Sequence, residues 1–179
     1  MMIMTGIVTD TSSFEWDLDG WTTGGMDRPF TRKSWSTPSY NTGPRNAADG
    51  SYYLYAHSES NYNQNFDLEK TFPAGQELYG VAFQYHMYGA DMGSAVLETS
   101  ADGTSWASLW SKSGDQGNQW LQATVYAGGG QTMLRYTCVR AQRAGGVTSC
   151  DESQLCSPLR LLLTAISPHQ VHVRRKLQR

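Results

Sequence analysis

Charge is scarce in this 179-residue chain, in which only 17% of the side chains are charged and the formal net charge is −2. Nucleic-acid binding needs clustered Lys and Arg against phosphates, so this balance gives no electrostatic case for that partner. Long apolar runs are also missing, because none approaches the roughly 20 residues of a membrane-spanning helix. The opening residues, Met1–Thr11, lack a basic segment followed by an apolar one, so no secretory signal is predicted.

Familiar catalytic patterns are absent as well. The sequence contains no G-x-S-x-G, H-E-x-x-H or G-x-x-x-x-G-K-[ST] pattern. His86 lies within a predicted strand, which favours a packed histidine over a catalytic base. Glycoside hydrolysis would need two facing carboxylates about 5–10 Å apart. The spacing nominates no such pair among the candidate acids Glu15, Asp49, Glu98 and Asp102. We therefore predict that the chain is not an enzyme.

Cysteine is sparse and lies at one end of the chain. Cys138, Cys150 and Cys156 all follow the last of the 21 aromatic residues. Residues 1–137 carry 7 Lys+Arg and 14 Asp+Glu, a charge of −7, whereas residues 138–179 carry 7 and 2, a charge of +5. Two compositions this different are not expected to share one core. An odd cysteine count without zinc-ligand spacing predicts thiols in a poorly ordered tail.

Aromatic residues (12%) and 18 glycines are the abundant components, and together they are typical of an all-β domain with many turns. The clearest strand signal is in Val81–Gly93, where alternate residues give one continuous apolar face. Alternation also predicts strands in Ser51–Ser58 and in Ser12–Trp21. An Asp-Gly pair predicts a hairpin between Ala95–Ser100 and Trp106–Ser111. About eight such strands predict a β-sandwich or jelly roll.

The aromatic residues permit two interpretations. On one sheet face they could form a stacking platform for sugars, although such stripes more often fill the inner faces of a sandwich. The residues concerned are Tyr52, Tyr53, Tyr55, Tyr62, Trp106 and Trp110.

Several motifs stand in the order seen in one family of extracellular modules. They include Gly50-Ser51-Tyr52-Tyr53-Leu54-Tyr55, Phe83-Gln84-Tyr85-His86-Met87-Tyr88-Gly89 with Met92-Gly93, and Gln116-Gly117 followed by Trp120. Over roughly Phe14–Thr137 the chain resembles the MAM domains of meprins, neuropilins and receptor tyrosine phosphatases. The resemblance implies a jelly-roll β-sandwich of two antiparallel sheets, an adhesion or recognition role, and no catalysis.

The chain departs from this family pattern at three positions. Asp19 and Gly80 stand where the family usually has disulfide cysteines, and no closing strand of Ile-Ala-Ile-Asp-Asp-Val character follows Thr137. We therefore predict an N-terminal tail over residues 1–12, a MAM-like domain over 13–137 and a poorly ordered basic tail over 138–179. The sandwich would lack its closing strand and expose a sheet edge, unless the tail supplies a substitute.

A structural cation is the best use of the acidic residues. Ca²⁺ takes hard oxygen ligands such as carboxylates and loop carbonyls, and many jelly-roll modules hold one where the first strand meets the last. Glu15, Asp49 and Ser51 are the candidate metal ligands in this chain. The remainder of the sequence predicts no other cofactor.

The resemblance implies a non-catalytic recognition or adhesion module at the cell surface or outside the cell. It would bind protein partners or itself, and it would reach a membrane only through a parent protein. The alternative is a carbohydrate-binding jelly-roll module that uses the aromatic platform on glycans. A small hydrolase is the third and weakest reading.

Overall fold

The computed structural model describes residues 9–38, 40–58, 65–76, 78–90, 92–139 and 154–164. The regular secondary structure in these ranges consists of β-strands. The described residues contain no helix that is long and apolar enough to cross a membrane. The strands are β1 (Thr9–Ser12), β2 (Thr22–Thr23), β3 (Arg28–Pro29), β4 (Thr31–Ser34), β5 (Tyr52–Ser58), β6 (Asn65–Thr71), β7 (Leu78–Tyr85), β8 (Ser94–Ser100), β9 (Ala107–Ser113), β10 (Leu121–Gln131), β11 (Met133–Val139) and β12 (Gln154–Thr164).

The strands form two six-stranded sheets. Sheet A has the order β10-β7-β12-β5-β4, and β1 also pairs with β12. Sheet B has the order β2-β6-β11-β8-β9, and β3 also pairs with β6. The β3–β6 pair is parallel, and the other pairs are antiparallel. The prediction of an all-β jelly-roll sandwich is confirmed.

Strand β7 shows how the sequence specifies the sandwich. Val81, Phe83 and Tyr85 are buried and alternate with the partly exposed Ala82 and Gln84. A side-chain period of two places the buried residues on one face of the sheet. That apolar face turns towards sheet B, so the clearest pattern in the sequence becomes the inner face of sheet A.

Aromatic rings from both sheets interlock in the core. The Phe83 ring lies 5.0 Å from the Trp110 ring at an interplanar angle of 89°, and it lies 6.1 Å from the Tyr136 ring. Trp110 also meets Tyr85 at 4.8 Å. Edge-to-face packing of this kind adds stabilisation beyond the apolar area that is buried. Phe83 is therefore a central contact between sheet A and sheet B.

The expectation that the sandwich lacks a closing strand is wrong, because residues 154–164 form one. Strand β12 lies inside sheet A between β7 and β5, with Leu161 opposite Phe83 and Leu159 opposite Leu54. Strands β5 and β7 would otherwise present unpaired N–H and C=O groups to each other, and a strand satisfies both rows at once. The tail therefore supplies the substitute strand, although it lacks the family's acidic pattern.

Pro158 makes this strand hard to recognise from the sequence, because proline fits poorly within a central strand. The pairing of β12 with β5 shifts register between Cys156 and Leu159, so the proline falls at the irregularity. β-Bulges are among the few places where a sheet accepts proline. Pro158 is therefore compatible with a strand over Gln154–Thr164.

Strand β11 also extends past the predicted domain boundary. It ends at Val139, and Cys138 lies within it as a buried thiol in the core rather than in a loose tail. Cys150 lies outside the described residues. The N-terminal tail predicted over residues 1–12 contains β1. Residues 1–8, 140–153 and 165–179 of the predicted tails lie outside the described residues, so the prediction for them stays a prediction.

The strand predicted over Ser12–Trp21 is wrong, because β1 runs over Thr9–Ser12 and a turn follows it. The backbone N–H of Phe14 donates to Asp19 Oδ2 at 2.6 Å, and the N–H of Asp19 donates to Asp17 Oδ1 at 2.6 Å. Aspartate side chains that bond to nearby backbone groups compete with a strand ladder. The alternation of apolar and acidic residues was therefore a turn pattern, and we call residues 13–20 the acidic turn.

The Tyr-His-Met-Tyr-Gly motif after β7 holds two loops at one end of the sandwich. The Gly43 N–H donates to the Tyr88 carbonyl at 3.0 Å, and the Gln116 N–H donates to the Met87 carbonyl at 2.7 Å. Gly89 has a φ of 146°, and a Cβ there would lie 3.1 Å from the Thr42 side chain. The most specific sequence marker therefore joins loops of the scaffold.

Candidate functional site

Three large aromatic side chains project into solvent, one from the acidic turn and two from the loop that follows β4. Trp16 is 89% exposed, Trp35 is 76% exposed and Tyr40 is 82% exposed. Isolated exposed apolar residues are ordinary, but tryptophan is rarely left so open. We call these three residues the aromatic surface, and they are the candidate site.

The backbone segments that carry Trp16 and Trp35 both pair with Tyr52. Glu15, next to Trp16, accepts hydrogen bonds through Oε1 from the N–H of Ser51 at 2.8 Å and of Tyr52 at 3.0 Å. Ser34, next to Trp35, is the register partner of Tyr52 in the β4–β5 ladder. The acidic turn and the end of β4 are therefore neighbours across Tyr52.

The backbone at Trp35 adopts a conformation that is rare for a bulky side chain, with a φ of 63°. Residues other than glycine adopt this left-handed region at a cost of about 1–3 kcal/mol, and such positions cluster at functional sites. The hydroxyl of Tyr53 donates to the Trp35 carbonyl at 2.7 Å. Burial, with a smaller contribution from Tyr55, raises the pKa of Tyr53, so its hydroxyl remains a neutral donor.

Arg32 on β4 holds the acidic turn from the side of sheet A. Its Nε donates to the Phe14 carbonyl at 2.5 Å, and another guanidinium nitrogen donates to the Glu15 carbonyl. The guanidinium also lies over the Tyr52 ring, 3.5 Å from its centroid. The planar face of the guanidinium thus stacks on Tyr52, while its N–H groups donate to the two carbonyls.

Lys70 on β6 holds the same turn from the side of sheet B. Its Nζ lies 2.7 Å from Asp10 Oδ2 and donates to the Asp19 carbonyl at 2.9 Å. The lysine is 8% exposed and lies 5.8 Å from the centroid of the Trp21 ring. A buried ammonium is tolerated when it is paired and hydrogen-bonded in this way.

The carboxylates proposed as Ca²⁺ ligands accept backbone hydrogen bonds in this structure. Ser51 presents a backbone N–H to Glu15, and Asp49 Oδ1 accepts from the Gly50 N–H at 2.9 Å. Calcium needs six to eight oxygen ligands, and N–H groups mark a position for negative charge. Among the described residues, no three His, Cys, Asp or Glu side chains are grouped to hold a metal.

Of the six aromatics considered for a sugar platform, the five that the structure describes do not form one exposed face. Tyr53 and Tyr55 are buried, and Trp110 packs between the sheets. Tyr52 lies under Arg32, and Trp106 lies under the Arg135 guanidinium at 3.9 Å. Tyr62 lies outside the described residues. The sequence reasoning singled out these aromatics and missed the exposed ones.

A signal for the exposed tryptophans was present in the sequence. The run Asp17-Leu18-Asp19-Gly20 after Trp16 has the residue types of an Asx turn, and Ser36-Thr37-Pro38 after Trp35 has those of a loop start. A tryptophan that borders such a turn has no strand neighbour to cover it. Apolar alternation across residues 14–18 concealed that signal.

The other candidate catalytic residues have structural contacts. His86 is 2% exposed, and its Nε2 lies 3.2 Å from Asn118 Oδ1. Burial lowers the pKa of His86, against smaller opposing effects of Asn118 and Asp115, which favours the neutral ring. Glu98 accepts from Arg135, and Asp102 accepts from backbone N–H groups of its own turn.

Replacing Gly50 with alanine tests the contact between the acidic turn and β5. Gly50 has a φ of 67°, and a Cβ there would overlap Glu15 Oε1. Gly50→Ala is expected to destabilise by about 2 kcal/mol, through backbone strain and loss of the Glu15 bonds. Gly114→Ala is the matched control, since its φ is 72° and nothing lies within 4 Å of its Cβ position. Equal losses in urea unfolding would mean that Glu15 contributes nothing.

Comparison with known proteins found a family and a set of similar folds. The model of the family described as MAM domain, meprin/A5/mu, matches residues 12–155. MAM domain-containing glycosylphosphatidylinositol anchor protein 1 of Rattus norvegicus is 34% identical over 95 residues, which cover 49% of this chain and 10% of that protein. The Mus musculus protein of the same name matches equally. The chain thus spans about a tenth of the length of these relatives.

Solved structures show the same fold at low identity. The K2 cleaved adhesin domain of Lys-gingipain has a TM-score of 0.54 at 15% identity, with 87% of this chain and 99% of that one covered. The K1 cleaved adhesin domain from Porphyromonas gingivalis W83 has a TM-score of 0.52 at 11% identity, with 87% and 97% covered. These likenesses concern the fold alone.

Proposed function

Since this chain belongs to the MAM domain family, meprin/A5/mu, we propose that it is a non-catalytic recognition and adhesion module. It binds protein partners or a second copy of itself through the aromatic surface. The observation that carries the proposal is the exposure of Trp16 and Trp35 on firmly held backbone. Tryptophan anchors of this kind supply a large share of binding free energy at protein interfaces.

The rigidity of the surface supports this role. Trp35 is fixed through its carbonyl by Tyr53, and Trp16 is carried by the turn that Arg32 and Glu15 connect to sheet A. Binding costs less when the contact residues are already ordered, because less conformational entropy is lost. Two pre-positioned indoles therefore favour recognition of a folded surface.

The module works outside the cell or at its surface as part of a longer protein. The relatives in rat and mouse are named as glycosylphosphatidylinositol anchor proteins, and the matched segment is a tenth of each. Membrane association would come from other parts of such a protein. Extracellular display would bring the aromatic surface to partners on neighbouring proteins or cells.

Replacing both tryptophans tests the proposal. The labelled full chain is titrated onto intact cells, and its self-association is measured by sedimentation velocity. The double variant Trp16→Ala/Trp35→Ala is expected to bind at least about tenfold more weakly in whichever assay shows binding, as for loss of an interface anchor. Tyr126→Ala is the control, because Tyr126 is 56% exposed but lies on β10 at the far edge of sheet A.

Pre-treatment of the cells identifies the class of partner. Loss of binding after trypsin treatment supports a protein partner, whereas loss after glycosidase treatment and retention on a glycan array support the carbohydrate-binding alternative. An exposed indole can stack on a sugar as well as on a side chain, so the alternative uses the same residues. Unchanged binding by the double variant would overturn the aromatic surface as the site.

A further inference from the structure

The acidic turn concentrates negative charge and aims backbone carbonyls at the two sheets. Glu15, Asp17 and Asp19 lie within it, and Asp10 lies just before it. The carbonyls of Phe14, Glu15 and Asp19 all accept hydrogen bonds from side chains. In many proteins, carboxylates and loop carbonyls gathered in this way surround a divalent cation.

Here the donors to these carbonyls are basic side chains from opposite sheets. Arg32, on sheet A, supplies two N–H donors to consecutive carbonyls and stacks on Tyr52. Lys70, on sheet B, contacts the Asp10 carboxylate and the Asp19 carbonyl. Each cation therefore contacts two oxygen groups in or beside the turn, and each is anchored on a strand of the scaffold.

We propose that Arg32 and Lys70 are the resident cations of the acidic turn, and that they take the structural place of a calcium ion. The guanidinium donates to the Phe14 and Glu15 carbonyls, and the ammonium donates to the Asp19 carbonyl. A divalent ion that used these oxygens would have to compete with the positive group that already contacts each of them. The turn, and with it Trp16, therefore takes its conformation without calcium.

This arrangement differs in kind from a metal site. A bound calcium ion dissociates when the calcium concentration falls, whereas Arg32 and Lys70 are covalently part of the chain. The aromatic surface is therefore constitutive, and neither calcium nor chelator regulates it. This inference does not rest on the proposed partner, because its test measures the turn itself.

The first measurement uses the unaltered full chain. Its melting temperature, and the hydrogen exchange of peptides that cover residues 13–20, are recorded in 5 mM CaCl₂ and in 5 mM EDTA. The proposal expects a difference of less than about 1 °C and the same exchange rates, because the turn is already saturated with donors. A calcium-dependent rise of several degrees, or slower exchange with calcium, would overturn it.

The second measurement removes the resident cations one at a time. Arg32→Met and Lys70→Met keep an apolar stem and lose the charge, and each is expected to speed exchange in residues 13–20 at least about tenfold. Arg32→Lys keeps the positive charge but loses the forked N–H donors of the guanidinium. Its exchange rate should therefore lie between those of the unaltered chain and of Arg32→Met. Arg45→Met is the matched control, since Arg45 is exposed in the loop before β5. Exchange in the Arg32 and Lys70 variants equal to that in the control would contradict the assignment.

Discussion

Truncating the chain after Val139 is expected to abolish its cooperative unfolding transition. Strand β12 lies between β7 and β5, so its removal splits sheet A into a β10–β7 pair and a β5–β4 pair. Strand β1 would also lose its partner. Several buried backbone groups would be left without hydrogen bonds, at about 1–3 kcal/mol each, which exceeds the usual stability of a domain. Circular dichroism during urea unfolding should show no sigmoidal transition.

A single substitution makes the same test without removing residues. Leu161 is the register partner of Phe83 on one side and of Ser12 on the other. Leu161→Pro removes an N–H within the sheet and should cost at least about 3 kcal/mol. Leu161→Val is the control, since valine is favoured in β-strands.

A truncated chain that still unfolds as sharply as the full chain would show that β12 is dispensable.

Replacing Phe83 with alanine is expected to lower the free energy of unfolding by about 3–5 kcal/mol. The ring is 1% exposed and contacts Trp110, Tyr136 and Tyr85. Its loss leaves a cavity between the sheets that rigid aromatic neighbours cannot fill. The variant should unfold at lower urea with the same m-value.

Tyr126→Ala is the matched control for this prediction. It removes an aromatic ring from the same sheet, but Tyr126 is 56% exposed. A change within about 0.5 kcal/mol is expected, as for most surface substitutions. A loss below about 1 kcal/mol at Phe83 would contradict the view that its ring joins the two sheets.

The parts of the fold that depend on local pattern were predictable. The hairpin of β8 and β9 lies where the Asp-Gly pair placed it, and Gly103 has the positive φ of 74° that a tight turn favours. Strand β7 likewise follows its alternation. In both cases the residues that decide the structure are within a few positions of one another, so the sequence displays the cause directly.

The parts that depend on distant partners were not predictable. Whether residues 154–164 form a strand is decided by the open edges of β5 and β7, which lie some 70–100 positions earlier in the chain. The closing strand typical of the family has an acidic pattern, which residues 154–164 lack. Pairing in a sheet is a tertiary event, and it overrides weak local preference.

The proposed calcium ligands show a different limit of the sequence. Glu15 and Asp49 were nominated for calcium by residue type alone, and the structure shows that their oxygens bond to backbone N–H groups. The contribution of Arg32 depends on a strand that brings it to the Phe14 carbonyl. Residue type says which atoms can bind a cation, but only the fold says which donors reach them first.

The central position of β12 in sheet A also determines the order in which the sheet can fold during synthesis. Ribosomes release the chain from its N-terminus, so β5 and β7 emerge long before the strand that separates them. Sheet A therefore cannot close until β12 has emerged, and its final step joins segments far apart in sequence. High contact order slows folding and prolongs the exposure of unpaired edges. A nascent chain of this kind should depend on chaperones until residue 164 has left the exit tunnel.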